Sequence, residues 1–109
     1  MYPVYPGYEA YKQQRYSEAL IQAKPIAERG NADAQTLVGS LYQLGLGVAV
    51  DEAKAIAWYE KASAQGYGLA TNNLATMFSV QGRIEESRRL YQLAKEQGFE
   101  HTPASAQVN

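Results

Sequence analysis

The residues able to do covalent or metal chemistry are few and scattered. The chain has one histidine, His101, and no cysteine. Without cysteine there is no disulfide, no thiolate zinc site, no iron–sulfur cluster and no Cys nucleophile. A lone histidine cannot build a His-rich metal site. A Ser-His-acid triad would have to recruit His101 from the C-terminal tail, past the last helical pattern, where a base is poorly preorganised. Glu85 and Glu86 are adjacent, so on a helix they diverge instead of facing one another across a substrate. Gly45-Leu46-Gly47 lacks the other residues of a phosphate loop, and no strand precedes it. Catalysis is set aside on these grounds. The expectation is no enzyme, no catalytic, cofactor-binding or metal-binding residue, and no cofactor.

The charges point away from polyanions. Lys+Arg number 10 and Asp+Glu 11, a net charge of −1, whereas nucleic-acid and anionic-membrane binders need a basic surplus. Arg83, Arg88 and Arg89 are interleaved with Glu85 and Glu86, the mixture expected of a solvated helix face. No apolar run reaches the roughly 18 residues of a membrane span. The opening Met1-Tyr2-Pro3-Val4-Tyr5-Pro6-Gly7 has neither the basic nor the apolar region of a secretory signal. No nucleic acid and no membrane insertion are expected. The chain as given reads as cytoplasmic, or as periplasmic if a signal has been removed. At 109 residues, 46% hydrophobic and 19% charged, it should fold as one domain.

The elements that position these residues repeat. Ala34, Val38, Gly39 and Tyr42 recur as Ala70, Leu74, Ala75 and Phe78, thirty-six residues later. A second pattern starts at Ala19, Ala55 and Ser87 and ends at Gly30, Gly66 and Gly98, so the last copy follows four residues sooner than the one before. Each unit reads as a helix pair. Residues 32–44 carry apolar side chains at 34, 37, 38, 41 and 42, the stripe of a helix buried on one face. Gly39 inside it costs about 1 kcal/mol relative to Ala, which close approach of a neighbouring helix would offset. Gly45-Leu46-Gly47 breaks the helix, and Asp51 caps the next one, with Glu52 in its first turn. That helix presents Ala53, Ile56, Ala57, Tyr59 and Ala62, with Trp58 beside them, and stops at Gly66. The third unit has helices over 69–80 and 84–97 around a tight Gln81-Gly82-Arg83 turn. The first unit is partial, a stub near Tyr8 to Gln13 followed by a helix over 17–29. Pro25 should remove a donor from that helix and kink it. Thr102-Pro103-Ala104 reads as a helix start with too little chain to continue.

The unit A-Q-x-x-V-G-x-x-Y-x-x-G-x-G-V-x-x-D-x-x-K-A-x-x-W-Y-x-x-A-x-x-x-G, from Ala34 to Gly66, resembles the Sel-like repeat family, relatives of the tetratricopeptide repeats. Residues 70–98 match less fully, lacking the G-x-G-V loop and having Leu90 in place of Trp. Residues 8–30 match as half a unit. The resemblance implies a short right-handed α-solenoid of antiparallel helix pairs, about two and a half repeats. Its organisation is a Tyr/Pro-rich segment over 1–7, repeats over 8–30, 31–66 and 67–98, and a tail over 99–109. It also implies scaffolding of other proteins rather than catalysis. Members serve bacterial envelope processes, signalling, effector–immunity pairs and protein quality control.

In this family the first helix of each pair lines a concave surface. The core stripe leaves Asp33, Thr36, Ser40, Gln43 and Leu44 facing it in one unit, and Leu69, Asn72, Thr76, Ser79 and Val80 in the next. Such a groove is nearly neutral and rich in hydrogen-bonding groups, suited to an extended peptide or a polar helix, and it has no Lys/Arg clamp for a carboxylate or phosphate. The alternative is that these positions are merely solvated. Tyr2, Tyr5, Tyr8 and Tyr11 fall at intervals of three with Pro3 and Pro6 between them, the period of polyproline II. They form either a strap into a groove, the chain's own or a twin's, or a cap over the open end of the first full helix, or a loose tail. Trp58 is expected to pack between units, and Tyr42, Tyr59 and Tyr91 to be core residues with hydroxyls at the edge. The function expected is a non-catalytic interaction scaffold or adaptor for a protein or peptide. The alternatives are an immunity or inhibitor protein acting by occlusion, a weak cell-wall-associated binding module, or a piece of a longer scaffold. Because roughly three repeats are needed to bury a continuous core, a homodimer or a tightly held partner is expected, with the end faces and the tyrosines in the contact.

Overall fold

A computed structural model describes residues 5–100 and contains six helices. They are α1 (Tyr8–Lys12), α2 (Tyr16–Glu28), α3 (Ala32–Leu44), α4 (Glu52–Ala64), α5 (Gly68–Val80) and α6 (Ile84–Glu96). No strand occurs among the described residues. Each helix packs on the one before and the one after it, most extensively within the pairs α3·α4 and α5·α6. This is an all-α helical repeat solenoid, with one core running along the stack. Tyr2, His101 and the Thr102-Pro103-Ala104 start lie outside the described residues.

Local chemistry explains the element ends. Asn31 Oδ1 accepts from the Ala34 amide at 2.9 Å and Asp51 Oδ1 from the Lys54 amide at 3.0 Å, so both helices of the middle unit have a side-chain cap. Gly30, Gly66 and Gly98 all lie in the left-handed region just past the second helix of each unit, as their recurrence in the sequence implies.

One reading of the helices needs correction. In α4 the buried residues are Ala55, Tyr59 and Ala62, with Ile56 and Trp58 partly buried, while Ala53 and Ala57 face solvent. With alanines spread around the helix, the placement of Tyr59 decides which of them go inward. Helix α2 runs unbroken through Pro25 to Glu28, close to the 17–29 that the sequence implies. The donor that Pro25 lacks would have served the Ile21 carbonyl, and Ile21 is 73% exposed, so water can satisfy it.

The tightest joint is between α3 and α4. Tyr59 has no exposed surface, and its ring lies directly over Gly39. A Cβ at position 39 would stand 2.7 Å from Tyr59 Cε1 and 2.8 Å from Cδ1. The ring cannot slide away, because Ser40 Oγ donates to its hydroxyl at 2.9 Å and that hydroxyl donates to Gln43 Oε1 at 2.6 Å. Tyr91 is the corresponding residue of α6 and is not core: it is 41% exposed. Ala75 takes the place of Gly39 there, so a methyl fills the space into which Tyr59 sinks, and no helix follows α6 among the described residues.

Gly39→Ala tests this joint. Removing glycine from a helix gains about 1 kcal/mol, but overpacking a fixed ring costs about 1–3 kcal/mol. The expected outcome is a net loss, read as a drop of several degrees in the thermal midpoint. An unchanged or higher midpoint would mean that the Tyr59 ring yields freely.

Candidate functional site

The turns reveal a register that the thirty-six-residue offset hides. Gln13, Arg15 and Glu18 recur as Gln81, Arg83 and Glu86. In both copies the arginine bonds the glutamine two residues before it and pairs with the glutamate three residues after it. In this register Tyr8 is equivalent to Ser40 and Thr76, and Tyr11 to Gln43 and Ser79. The rows of α3 and α5 that the sequence assigns to a concave face therefore continue onto α1, where both positions are tyrosine.

Tyr8 and Tyr11 share a face because they are one turn apart on α1, so an α-helix aligns them where the sequence suggested polyproline II. Tyr5 lies just before the helix, its ring centroid 5.6 Å from that of Tyr8, and Tyr11 stacks on Tyr16 at 5.9 Å. The segment comes this close to α2 because Gly7 has no side chain: a Cβ there would stand 2.6 Å from the Ala19 carbonyl oxygen.

These tyrosines form one wall of a depression of about 320 Å³. Asp33, Thr36, Leu37 and Ser40 of α3 make its floor, and Tyr67, Leu69 and Asn73 its far side. Of the residues singled out by sequence, Asp33, Thr36, Ser40, Leu69, Tyr5, Tyr8 and Tyr11 thus come together. Thr36 is only 5% exposed and its hydroxyl donates back to the Ala32 carbonyl at 2.8 Å, so it contributes shape rather than a free hydroxyl. Gln43 is held by Tyr59, while Thr76 is exposed and bonds the Tyr91 hydroxyl at 2.9 Å. Leu44, Ser79 and Val80 are exposed and Asn72 is half-buried, all outside the depression. Sequence reasoning missed Tyr67 and Asn73. Tyr67 precedes α5 and reads as a loop residue, and Asn73 adjoins the stripe residue Leu74. The turn register would have flagged the latter, since it aligns Tyr5 with Asn73.

The electrostatics centre on Asp33, the only acid among the described lining residues, which include no lysine or arginine. Burial pushes the Tyr67 hydroxyl up to about 12, and a hydrogen bond to the Asp33 carboxylate reinforces this. Burial also raises Tyr5, with the Asp33 charge adding to it. Away from the depression, Trp58 is half-buried against the core under the Lys61 ammonium, 4.9 Å from the ring centroid. Arg88 pairs with Glu85 on an exposed face of α6. Among the described residues no group of three His, Cys, Asp or Glu could hold a metal ion, and no helix is long and apolar enough to cross a membrane.

Fold and groove together define a short helical-repeat module. The Sel1 repeat family profile matches residues 32–67 and 69–99. The chain belongs to the Sel1 repeat family, whose repeats mediate protein–protein interaction. Over 68 residues, 62% of this chain, it is 38% identical to chitin synthase regulatory factor 3 of Schizosaccharomyces pombe, of which it spans 7%. The crystal structure of a Sel1 repeat protein from Oxalobacter formigenes matches 94% of this chain with a TM-score of 0.79 and 32% identity. The chain spans 42% of that protein, so it covers less than half the length of either relative.

The Tyr67–Asp33 contact has a pH signature. Tyr67 holds its proton more tightly folded than unfolded, so its contribution to stability is complete below pH 10 and is lost as pH climbs from 10 toward about 12. Denaturant unfolding across that window should show stability falling with pH, and Tyr67→Phe should reduce the slope to the part left by the raised Tyr5 and Tyr59 hydroxyls. The same slope in both proteins would remove Tyr67 as its source.

Proposed function

We propose that this chain is a non-catalytic adaptor that holds an extended segment of a partner protein along its concave face. The observation that carries this reading is the depression between α1, α3 and the start of α5, where an aromatic wall faces Asp33 and Ser40 across about 320 Å³. Aromatic side chains give large contact area at low entropic cost, and polar groups beside them can take up the peptide backbone. The exposed Thr76, Ser79 and Val80 extend the same face toward the C-terminal end. Family membership supports the interaction role, and a regulatory factor among the relatives fits an adaptor.

The test is affinity capture from the native host with substitutions on each face. Thr36 is unsuitable, because a large charged residue at a buried position would unfold the protein. Leu69→Arg and Thr76→Arg change exposed groove positions, and Gln92→Arg changes an exposed position on α6 away from the depression. All three should retain the helical circular dichroism and midpoint of the parent. Partners captured by the parent should be lost with the first two and kept with the third. Loss with Gln92→Arg alone would move the interface off the concave face.

A homodimer through the C-terminal end is a second part of this reading. Val80 is 84% exposed and Ile84 50%, beside the uncovered Tyr91. Light scattering at tens of micromolar should report a dimer that Tyr91→Glu dissociates. A monomeric parent with a cooperative melt would end that part alone.

A further inference from the structure

We infer that the tyrosine-walled depression is a cage for the ammonium group of a lysine carried by the extended partner segment. This deepens the groove reading and rests on it. Three features point to a cation. The lining includes four tyrosines, Tyr5, Tyr8 and Tyr11 on one side and Tyr67 on the other, and the faces of such rings carry negative potential. Asp33 supplies the one formal charge, and no basic side chain among the described lining residues neutralises it. The chain already places cations on aromatic faces, with Lys12 Nζ 5.5 Å from the centroid of Tyr8, a ring of this same depression, and Lys54 Nζ 5.3 Å from that of Tyr42.

The geometry selects lysine over arginine. The Asp33 carboxylate lies close enough to the Tyr67 and Tyr5 hydroxyls to raise both, so a guanidinium fork would have to share its oxygens with them. A lysine needs only one charged contact, and its four-carbon stem can lie along the rings. An acidic side chain would meet both Asp33 and the ring faces and is excluded. The partner is therefore a basic, extended peptide segment, although the module itself is almost neutral overall.

The experiment uses the full chain and a seven-residue peptide of Ser, Ala and Pro with a central lysine. Its counterparts carry norleucine, arginine or glutamate at the centre. Binding is followed by NMR at millimolar peptide, through the tyrosine ring resonances and the amides of α3 and α5. The lysine peptide should perturb the Tyr5, Tyr8, Tyr11 and Tyr67 rings and bind about fivefold tighter than the norleucine peptide. That advantage should shrink in high salt and vanish in Asp33→Asn, a nearly isosteric change whose folding is checked by its melt. If the norleucine peptide binds the groove equally well, the cage is wrong and the groove reading stands. If no peptide perturbs the groove, both fail. Tighter binding of the arginine peptide would overturn the choice of lysine, and equal binding of methylammonium alone would overturn the peptide as its carrier.

Discussion

The stack depends on how closely a second helix can approach the first helix of its pair. In the middle unit that distance is set by Tyr59 lying on Gly39, with its hydroxyl tied to Ser40 and Gln43. The glycine costs about 1 kcal/mol of helix propensity. Burying a large aromatic side chain returns about 2–3 kcal/mol, so the packing term wins. The same joint orients the groove, because Ser40 and Gln43 belong to the concave row. A residue that looks like core thus also fixes two polar groups of the face proposed to bind a partner.

A second constraint keeps successive units in register. Gln35 Nε2 donates to the Ala27 carbonyl at 3.0 Å, and Gln65 Nε2 donates to Gln35 Oε1 at 3.0 Å and to the Gly30 carbonyl at 2.8 Å. One unit on, Thr71 replaces Gln35: it bonds Ser63 and donates to Gln97 Oε1, while Gln97 Nε2 donates to the Ser63 carbonyl at 3.2 Å. Each set binds the end of one pair to the start of the next and to the end of that next pair. Apolar stripes alone would let helices slide by a turn at modest cost. A buried donor left unpaired costs about 1–3 kcal/mol, which makes the slipped register unfavourable. No buried side-chain nitrogen or oxygen is left without a partner among the described residues.

The fold was legible because its signals are periodic. Helix α3 falls at the residues its apolar spacing implies, and the glycine stops recur with the unit. What was not legible turned on single side chains. Tyr59 and Tyr91 occupy the same place in the pattern, yet one is sealed and the other exposed, because Gly39 and Ala75 differ by a methyl and only one of the two has a helix stacked over it. Thr36 reads as a groove hydroxyl, but its carbonyl partner four residues back is a local choice that no pattern records. The tyrosines of the first segment were visible, but their three-residue spacing fits both polyproline II and one helical turn, and only the packing of Gly7 against α2 decides between them.

That decision gives the groove a direction. Along the concave row, the positions equivalent to Ser40 are Tyr8 at one end and Thr76 at the other. The α1 step is therefore aromatic, with Asp33 beside it, and the α5 step is polar, with the exposed Val80 on the same helix. In a row of identical repeats a peptide could bind at any step, displaced by one unit, with nearly equal affinity. Here the α1 positions equivalent to Ser40 and Gln43 are tyrosines, so that step of the track differs from the two that follow it. A segment with one group suited to that step is fixed in both place and polarity. The tyrosines of α1 are what break the symmetry of the proposed binding face.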